Sequence, residues 1–245
     1  MKSLALLTHS TDKAVDKSVL LKISEALTRQ LVDDYGNVWQ SRGVPVYTIG
    51  AEKDAPDDTV LVTIFDDSSK VGILGYHDVS PQGRAYAKVF WRPIKNHGGT
   101  LYQGDNSLSM TISHEALELL HDPYANLWTD MGDEAGTEEA HELCDRVEGD
   151  SYEIDGVSLS NFLGPRAFRN GVGPYDFLSM QKDPRGIKSP WEIRLNGYAI
   201  RRTGGPNGRT RSIFGSQYPD FKRELKMSRD SRAAIRGVPE ALIGT

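Results

Sequence analysis

The residues best placed to do chemistry lie in the run Ser113-His114-Glu115-Ala116-Leu117-Glu118-Leu119-Leu120-His121-Asp122-Pro123. Wound as an α-helix at about 100° per residue, His114 and Glu118 fall about 40° apart, and His121 falls about 20° to the other side of His114. The three make one polar stripe. Leu108, Ile112 and Leu119 make a separate apolar set, and Leu117 and Leu120 help bury the helix elsewhere. A polar stripe on an otherwise buried helix needs partners, because unpaired buried polar groups are costly. A metal ion is a natural one: an imidazole nitrogen and a carboxylate oxygen four residues apart can both reach one Zn²⁺ at roughly 2 Å. Glu115, beside the first ligand, would face the open side of such an ion, where a carboxylate can take a proton from water. His121 stands at the helix end before Asp122-Pro123 and reads as a partner of the C-terminal dipole. The plain alternatives are a buried hydrogen-bonded His114–Glu118 pair and an exposed or capping Glu115.

Several elements must position that stripe. Residues 106–121 form the helix itself. Residues 14–33 read as a second amphipathic helix, with Val15, Val19, Leu20, Ile23, Leu27 and Leu31 at helical spacing and Gly36 as its C-cap. The N-terminal run Leu4-Ala5-Leu6-Leu7 is too short for a secretory core of about 7–15 apolar residues, so it reads as a buried strand or terminal arm. Short strands are expected at residues 44–49, 60–65, 72–77 and 85–91, with Pro93 suiting an edge position. A second short helix is expected at 138–146, a strand or turn at 157–162, and a late hairpin at 191–202 turning at Asn196-Gly197. Strands in the first half feeding a central helix predict an α+β fold, a sheet packed on helices.

Composition sets outer limits. The chain has 245 residues, a formal net charge of −5 and a mean hydropathy of −0.47, which suits a globular fold with a sizeable core. Its single cysteine, Cys144, cannot form an internal disulfide and excludes a cysteine-rich zinc site. No stretch approaches the ~20 apolar residues of a membrane span, and without a targeting segment cytoplasmic synthesis is the default. Charge is uneven. Residues 201–245 hold ten Lys+Arg against four acids, leaving the first 200 residues 19 against 30. An acidic body with a basic end predicts a body over residues 1–202 and an extended basic C-terminal tail over 203–245. Such a tail is either solvated or docks on an acidic protein surface, including a copy of its own body. Nucleic acid fits less well, because the body would repel phosphates.

The downstream sequence makes a resemblance specific. Ser113-His114-Glu115-x-x-Glu118-x-x-x-Asp122-Pro123, then Trp128-x-Asp130, then Glu142-x-Cys144-Asp145, resembles a zincin-like group that includes many uncharacterised bacterial and bacteriophage proteins. It differs from the HExxH metalloprotease helix in having Glu118 in place of the second histidine. The resemblance spans about residues 14–168. It implies a zincin-like fold: a twisted mixed β-sheet, an edge strand along the cleft, and an active-site helix beneath. It also implies a third zinc ligand from a following element. Glu142 resembles that ligand and Asp145 the carboxylate that orients His114, while His141 and Asp145 remain alternative third ligands.

The reading is therefore a zinc-dependent hydrolase, most simply a metallopeptidase acting on peptide or protein. Zn²⁺, one per chain, would be held by His114, Glu118 and Glu142, with Glu115 as the catalytic base. The alternative is a non-catalytic structural or assembly protein, for example a bacteriophage virion component, that retains the zincin fold and binds partners or itself through the tail. Carboxylate ligands acidify water less than three histidines would, so a slower hydrolase or a harder cation is also in keeping. The remaining candidates have plainer readings: His9, His77 and His97 as surface or loop histidines, Cys144 as a small buried residue, Tyr152 and Tyr175 as core packing, and Trp128 and Asp130 as pins for the loop after the helix.

Overall fold

The computed structural model describes residues 1–68 and 74–217. Strand β1 (Ser3–Thr8) runs through the interior, with Leu4, Ala5, Leu6 and Leu7 buried irrespective of the face they occupy. That continuous apolar run is the mark of a parallel strand covered on both sides. Helix α1 (Lys17–Arg29) begins at Asp16, whose carboxylate accepts the N–H groups of Ser18 and Val19, and it buries Val19, Leu20, Ile23, Ala26 and Leu27. It does not stop at Gly36. The chain widens into a π-turn at Gln30–Tyr35 and continues as α2 (Gly36–Trp39). Gly36 is right-handed at φ −56°, and the terminating left-handed residue is Gln40 at φ 48°.

Strands β2 (Val46–Thr48), β3 (Thr59–Phe65), β4 (Gly75–Val79) and β5 (Ala85–Phe90) join β1 in a five-stranded sheet of order β2-β1-β3-β5-β4. All neighbours are parallel except β4, an antiparallel edge strand paired to β5 with His77 opposite Ala87. The strand expected at 72–77 thus begins at Gly75; residues 69–73 lie outside the described residues. Because β5 is flanked by β3 and β4, Pro93 does not mark an edge. It sits in the first turn of the short helix α3 (Trp91–Asn96), where a proline's missing N–H breaks no bond.

Helix α4 (Leu108–His121) starts at Ser107, whose hydroxyl accepts the Met110 N–H, and packs against β4 and β5. Its other side meets the hairpin of β8 (Ser151–Ile154) and β9 (Val157–Ser160). Strands β6 (Trp128–Asp130), β7 (Thr137–Ala140), β10 (Tyr198–Thr203) and β11 (Arg209–Phe214) form a second, antiparallel sheet of order β11-β10-β7-β6. A one-turn helix, α5 (Phe177–Met180), lies between β9 and β10 and is closed by a capping box of Asp176 and Ser179. The fold is mixed α+β, as expected.

The helix expected at 138–146 is instead β7 followed by a 3₁₀ turn at Asp145–Val147. The cause is non-local: Glu138 and Glu139 stand opposite Arg202 and Arg201 of β10, and their carboxylates bond the facing guanidinium Nε atoms at 2.8 and 2.9 Å. Opposite charges directly across a ladder stabilise the strand. The late hairpin is also displaced. It turns between Thr203 and Arg209, not at Asn196-Gly197. Gly197 is required for close packing, since a Cβ there would lie 2.2 Å from the Arg146 carbonyl oxygen. The described part of the expected tail, residues 203–217, thus contributes to the second sheet; residues 218–245 lie outside the described residues.

Candidate metal centre

The residue before His114 fixes helix α4 in place. Ser113 Oγ donates to Gln30 Oε1 at 2.6 Å and accepts the Ser160 N–H at 3.0 Å. Gln30 in turn donates from Nε2 to the Ser160 carbonyl at 2.9 Å and to Tyr152 Oη at 3.0 Å. Gln30 is fully buried and lies at the start of the π-turn, and π-bulges in helices are frequent beside functional sites. This buried amide, with every one of those partners satisfied, ties α1, α4 and β9 together one residue from the candidate ligand.

Two groups of ligand atoms meet at Glu118, each closing to within 4.8 Å. In the first, His114 Nε2 is 3.4 Å from Glu118 Oε1 and 3.3 Å from Asp145 Oδ1. In the second, His77 Nδ1 is 3.5 Å from Glu118 Oε2 and 3.6 Å from Glu115 Oε2. Glu118 therefore turns one oxygen to each group, and its Oε1 also accepts the Cys144 N–H at 3.3 Å. His77, Glu115, Glu118 and Asp145 are at most 5% exposed; only His114 reaches solvent, its side chain 12% exposed.

Burial alone would lower the pKa of His114, but Glu118, Asp145 and Glu115 together push it well above its ordinary value. Burial alone would raise Glu118, but His114 and then His77 pull it well below the usual carboxylate range. Without a metal, protonated imidazole is thus the counter-charge for the carboxylates, and no lysine or arginine ion-pairs with Glu115 or Glu118 among the described residues. Glu115 Oε2 is buried and accepts no hydrogen bond among the described residues. Imidazole nitrogens converging with carboxylate oxygens, one of them still short of a hydrogen bond, are a donor set that fits a divalent cation.

His114, Glu115 and Glu118 thus fall together as expected. Asp145 rather than Glu142 is within ligand reach of His114 and Glu118: Glu142 is buried but belongs to neither group. His141, the other alternative, stacks between His121 and Phe168 and shares a hydrogen bond with Thr129. His121 is not a cationic dipole partner. It packs on Trp39 with ring centroids 4.3 Å apart, and burial, then His141, push its pKa down to about 4, leaving it neutral at pH 7.

His77 is the residue that the sequence reading misplaced. It is buried, not a surface histidine, and it is the inward-facing centre of β4. Gly75, two residues earlier on the same face, leaves room for the site: a Cβ there would lie 2.7 Å from Glu115 Oε1. The signal was the Gly75-x-His77 alternation within a strand, which puts a ligand-type residue and a space on one face. The plainer readings hold for His9 and His97, both exposed, and for Cys144, which is buried. Tyr152 donates its hydroxyl to Asp34 and Tyr175 to the Gly171 carbonyl, so both serve the packed interior. Trp128 and Asp130 form strand β6, with the Arg202 guanidinium 4.0 Å above the Trp128 ring.

No family model, no curated protein and no solved structure matches this chain. Among the described residues no helix is long and apolar enough to cross a membrane.

Proposed function

We propose that the chain is a zinc-dependent hydrolase, most simply a metallopeptidase, built on a zincin-type arrangement of α4 beneath the edge strand β4. The observation that carries this reading is the convergence of His114 Nε2, Glu118 Oε1 and Asp145 Oδ1, with Glu115 one residue from the first ligand. His114, Glu118 and Asp145 would hold the ion, and Glu142 leaves the ligand set. A bound Zn²⁺ would supply Lewis acidity toward a carbonyl oxygen and make water a better nucleophile near neutral pH. Glu115 would take the proton that the attacking water releases and hand it to the leaving amine. Asp145 would also hold the His114 ring in orientation, and Gln30 with Ser113 would hold the helix register on which both depend. The substrate class is peptide or protein.

A second reading, a non-catalytic assembly protein such as a virion component that keeps the site as a structural metal centre, is favoured by one observation: enclosure. Only His114 offers solvent an appreciable surface, and structural metal sites are closed whereas catalytic ones keep an open position. Paired variants separate the two. Under the hydrolase reading, protein freed of excess metal retains about one Zn²⁺ per chain by elemental analysis. Glu115→Gln keeps that ion and loses about 10²–10⁴ in turnover of a peptide library, whereas His114→Ala loses the ion. Metal retention with no turnover above the Glu115→Gln background transfers the conclusion to the structural reading. Absence of metal defeats the hydrolase reading and leaves an assembly protein without a metal.

A further inference from the structure

We propose that the chain carries a second, weaker divalent-cation site, made by His77, Glu115 and Glu118 between β4 and α4, and that filling it engages the base carboxylate and switches hydrolysis off. The inference rests on the hydrolase reading above and assigns that site a regulator, the metal itself in excess.

The geometry divides at Glu118. Its Oε1 faces His114, Asp145 and the Cys144 N–H, while its Oε2 lies 3.5 Å from His77 Nδ1. A carboxylate presenting one oxygen to each of two cation positions is the bridging element of two-metal sites, where the ions stand about 3.5–4 Å apart. Glu115 completes the second position, with Oε2 at 3.6 Å from His77 Nδ1. That oxygen is buried and accepts no hydrogen bond among the described residues, an arrangement that normally demands a partner. The space around it is built in, because any side chain at Gly75 would strike the Glu115 carboxylate.

Charge points the same way. One divalent ion on His114, Glu118 and Asp145 offsets those two carboxylates and leaves the charge of Glu115, 5% exposed, faced by the His77 imidazole. A second cation on His77, Glu115 and Glu118 supplies positive charge there. Its affinity is lower because the two ions repel each other across one shared carboxylate. Its ligands are also the less accessible set, with side chains of 0%, 6% and 3% exposure against 12% for His114. Once coordinated, the Glu115 carboxylate shares its negative charge with the cation and is a far weaker base toward water, so the doubly loaded chain loses turnover.

The test is titration of the full-length, metal-stripped chain with Zn²⁺ alone, followed by calorimetry and by elemental analysis at each plateau. Two ions per chain are expected, the second at least about tenfold weaker. His77→Ala should abolish the second and keep the first, and Gly75→Ala should weaken the second by crowding Glu115 while retaining every ligand. Circular dichroism confirms that each variant is folded. With Mn²⁺ as the probe, the doubly loaded parent should show an exchange-coupled paramagnetic resonance spectrum, since the ions share Glu118. A single ion that is lost in His114→Ala and indifferent to His77→Ala overturns the second site and leaves the hydrolase reading standing. A single ion lost in His77→Ala but kept in His114→Ala overturns both assignments. Two ions that give only an uncoupled spectrum overturn the shared-carboxylate geometry.

Discussion

Replacing His114 by alanine should destabilise the metal-free chain as well as remove the metal, and the size of the loss follows from the site. Glu118 is 2% and Asp145 1% exposed, and their oxygens lie 3.4 and 3.3 Å from His114 Nε2. The raised pKa of His114 and the lowered pKa of Glu118 make this a charged pair at pH 7. Removing one partner of a buried ion pair costs about 3–5 kcal/mol, because the other charge is left uncompensated. Glu118 still has His77 at 3.5 Å, so the lower end, about 3 kcal/mol, applies. For a chain near this size that corresponds to a fall in Tm of roughly 6–12 °C. Zinc at about one hundred times the Kd of the first group adds about 2.7 kcal/mol to the parent and less to the variant, which keeps only the weaker His77, Glu115 and Glu118 group, so the gap should widen beyond about 3 toward about 6 kcal/mol. Urea denaturation followed by circular dichroism at pH 7, with and without Zn²⁺, measures both quantities. A variant as stable as the parent without metal, and shifted equally by zinc, would refute the placement of His114 at the centre of the first group.

Two further outcomes probe the surroundings of the site. His121, neutral in the fold with a pKa of about 4 against an ordinary 6.5, contributes stability that is fully present above pH 6.5 and lost as the pH falls toward 4. The loss is about 3 kcal/mol, so the urea midpoint should fall across that range in the parent and fall less in His121→Gln; equal slopes would refute the burial of that ring. Gly43 is a separate test of packing against the π-turn, since a Cβ there would meet the Leu31 carbonyl oxygen at 2.2 Å and Val32 Cα at 2.5 Å. Both are backbone atoms that cannot rotate away, so Gly43→Ala should cost about 3 kcal/mol in urea denaturation, and an unchanged midpoint would show that the segment after α2 does not pack there.

The central helix and its polar stripe were legible from residue types alone, because a helix closes its hydrogen bonds four residues away and its faces follow from one angle. His114, Glu115 and Glu118 needed nothing more. Strands β1, β3 and β5 were legible for a similar reason: the apolar runs of β1 and β3 and the alternation of β5 are local. The rest of the site was decided by partners distant in the chain. Residues 138–146 carry enough helix-forming residues to suggest a helix, but Arg201 and Arg202, more than sixty positions later, pull Glu138 and Glu139 into a ladder. That ladder ends β7 at Ala140 and lets the following turn deliver Asp145, not Glu142, to His114. His77 was invisible as a candidate site residue because the carboxylates it faces, Glu115 and Glu118, lie about forty residues along the chain. It faces α4 only because β4 pairs antiparallel with β5 at the sheet edge, in the register that sets His77 opposite Ala87. A period-two strand declares which residues share a face but not which face is inward. Sheet order and register make that choice, and both are set by contacts that exist only once the chain has folded.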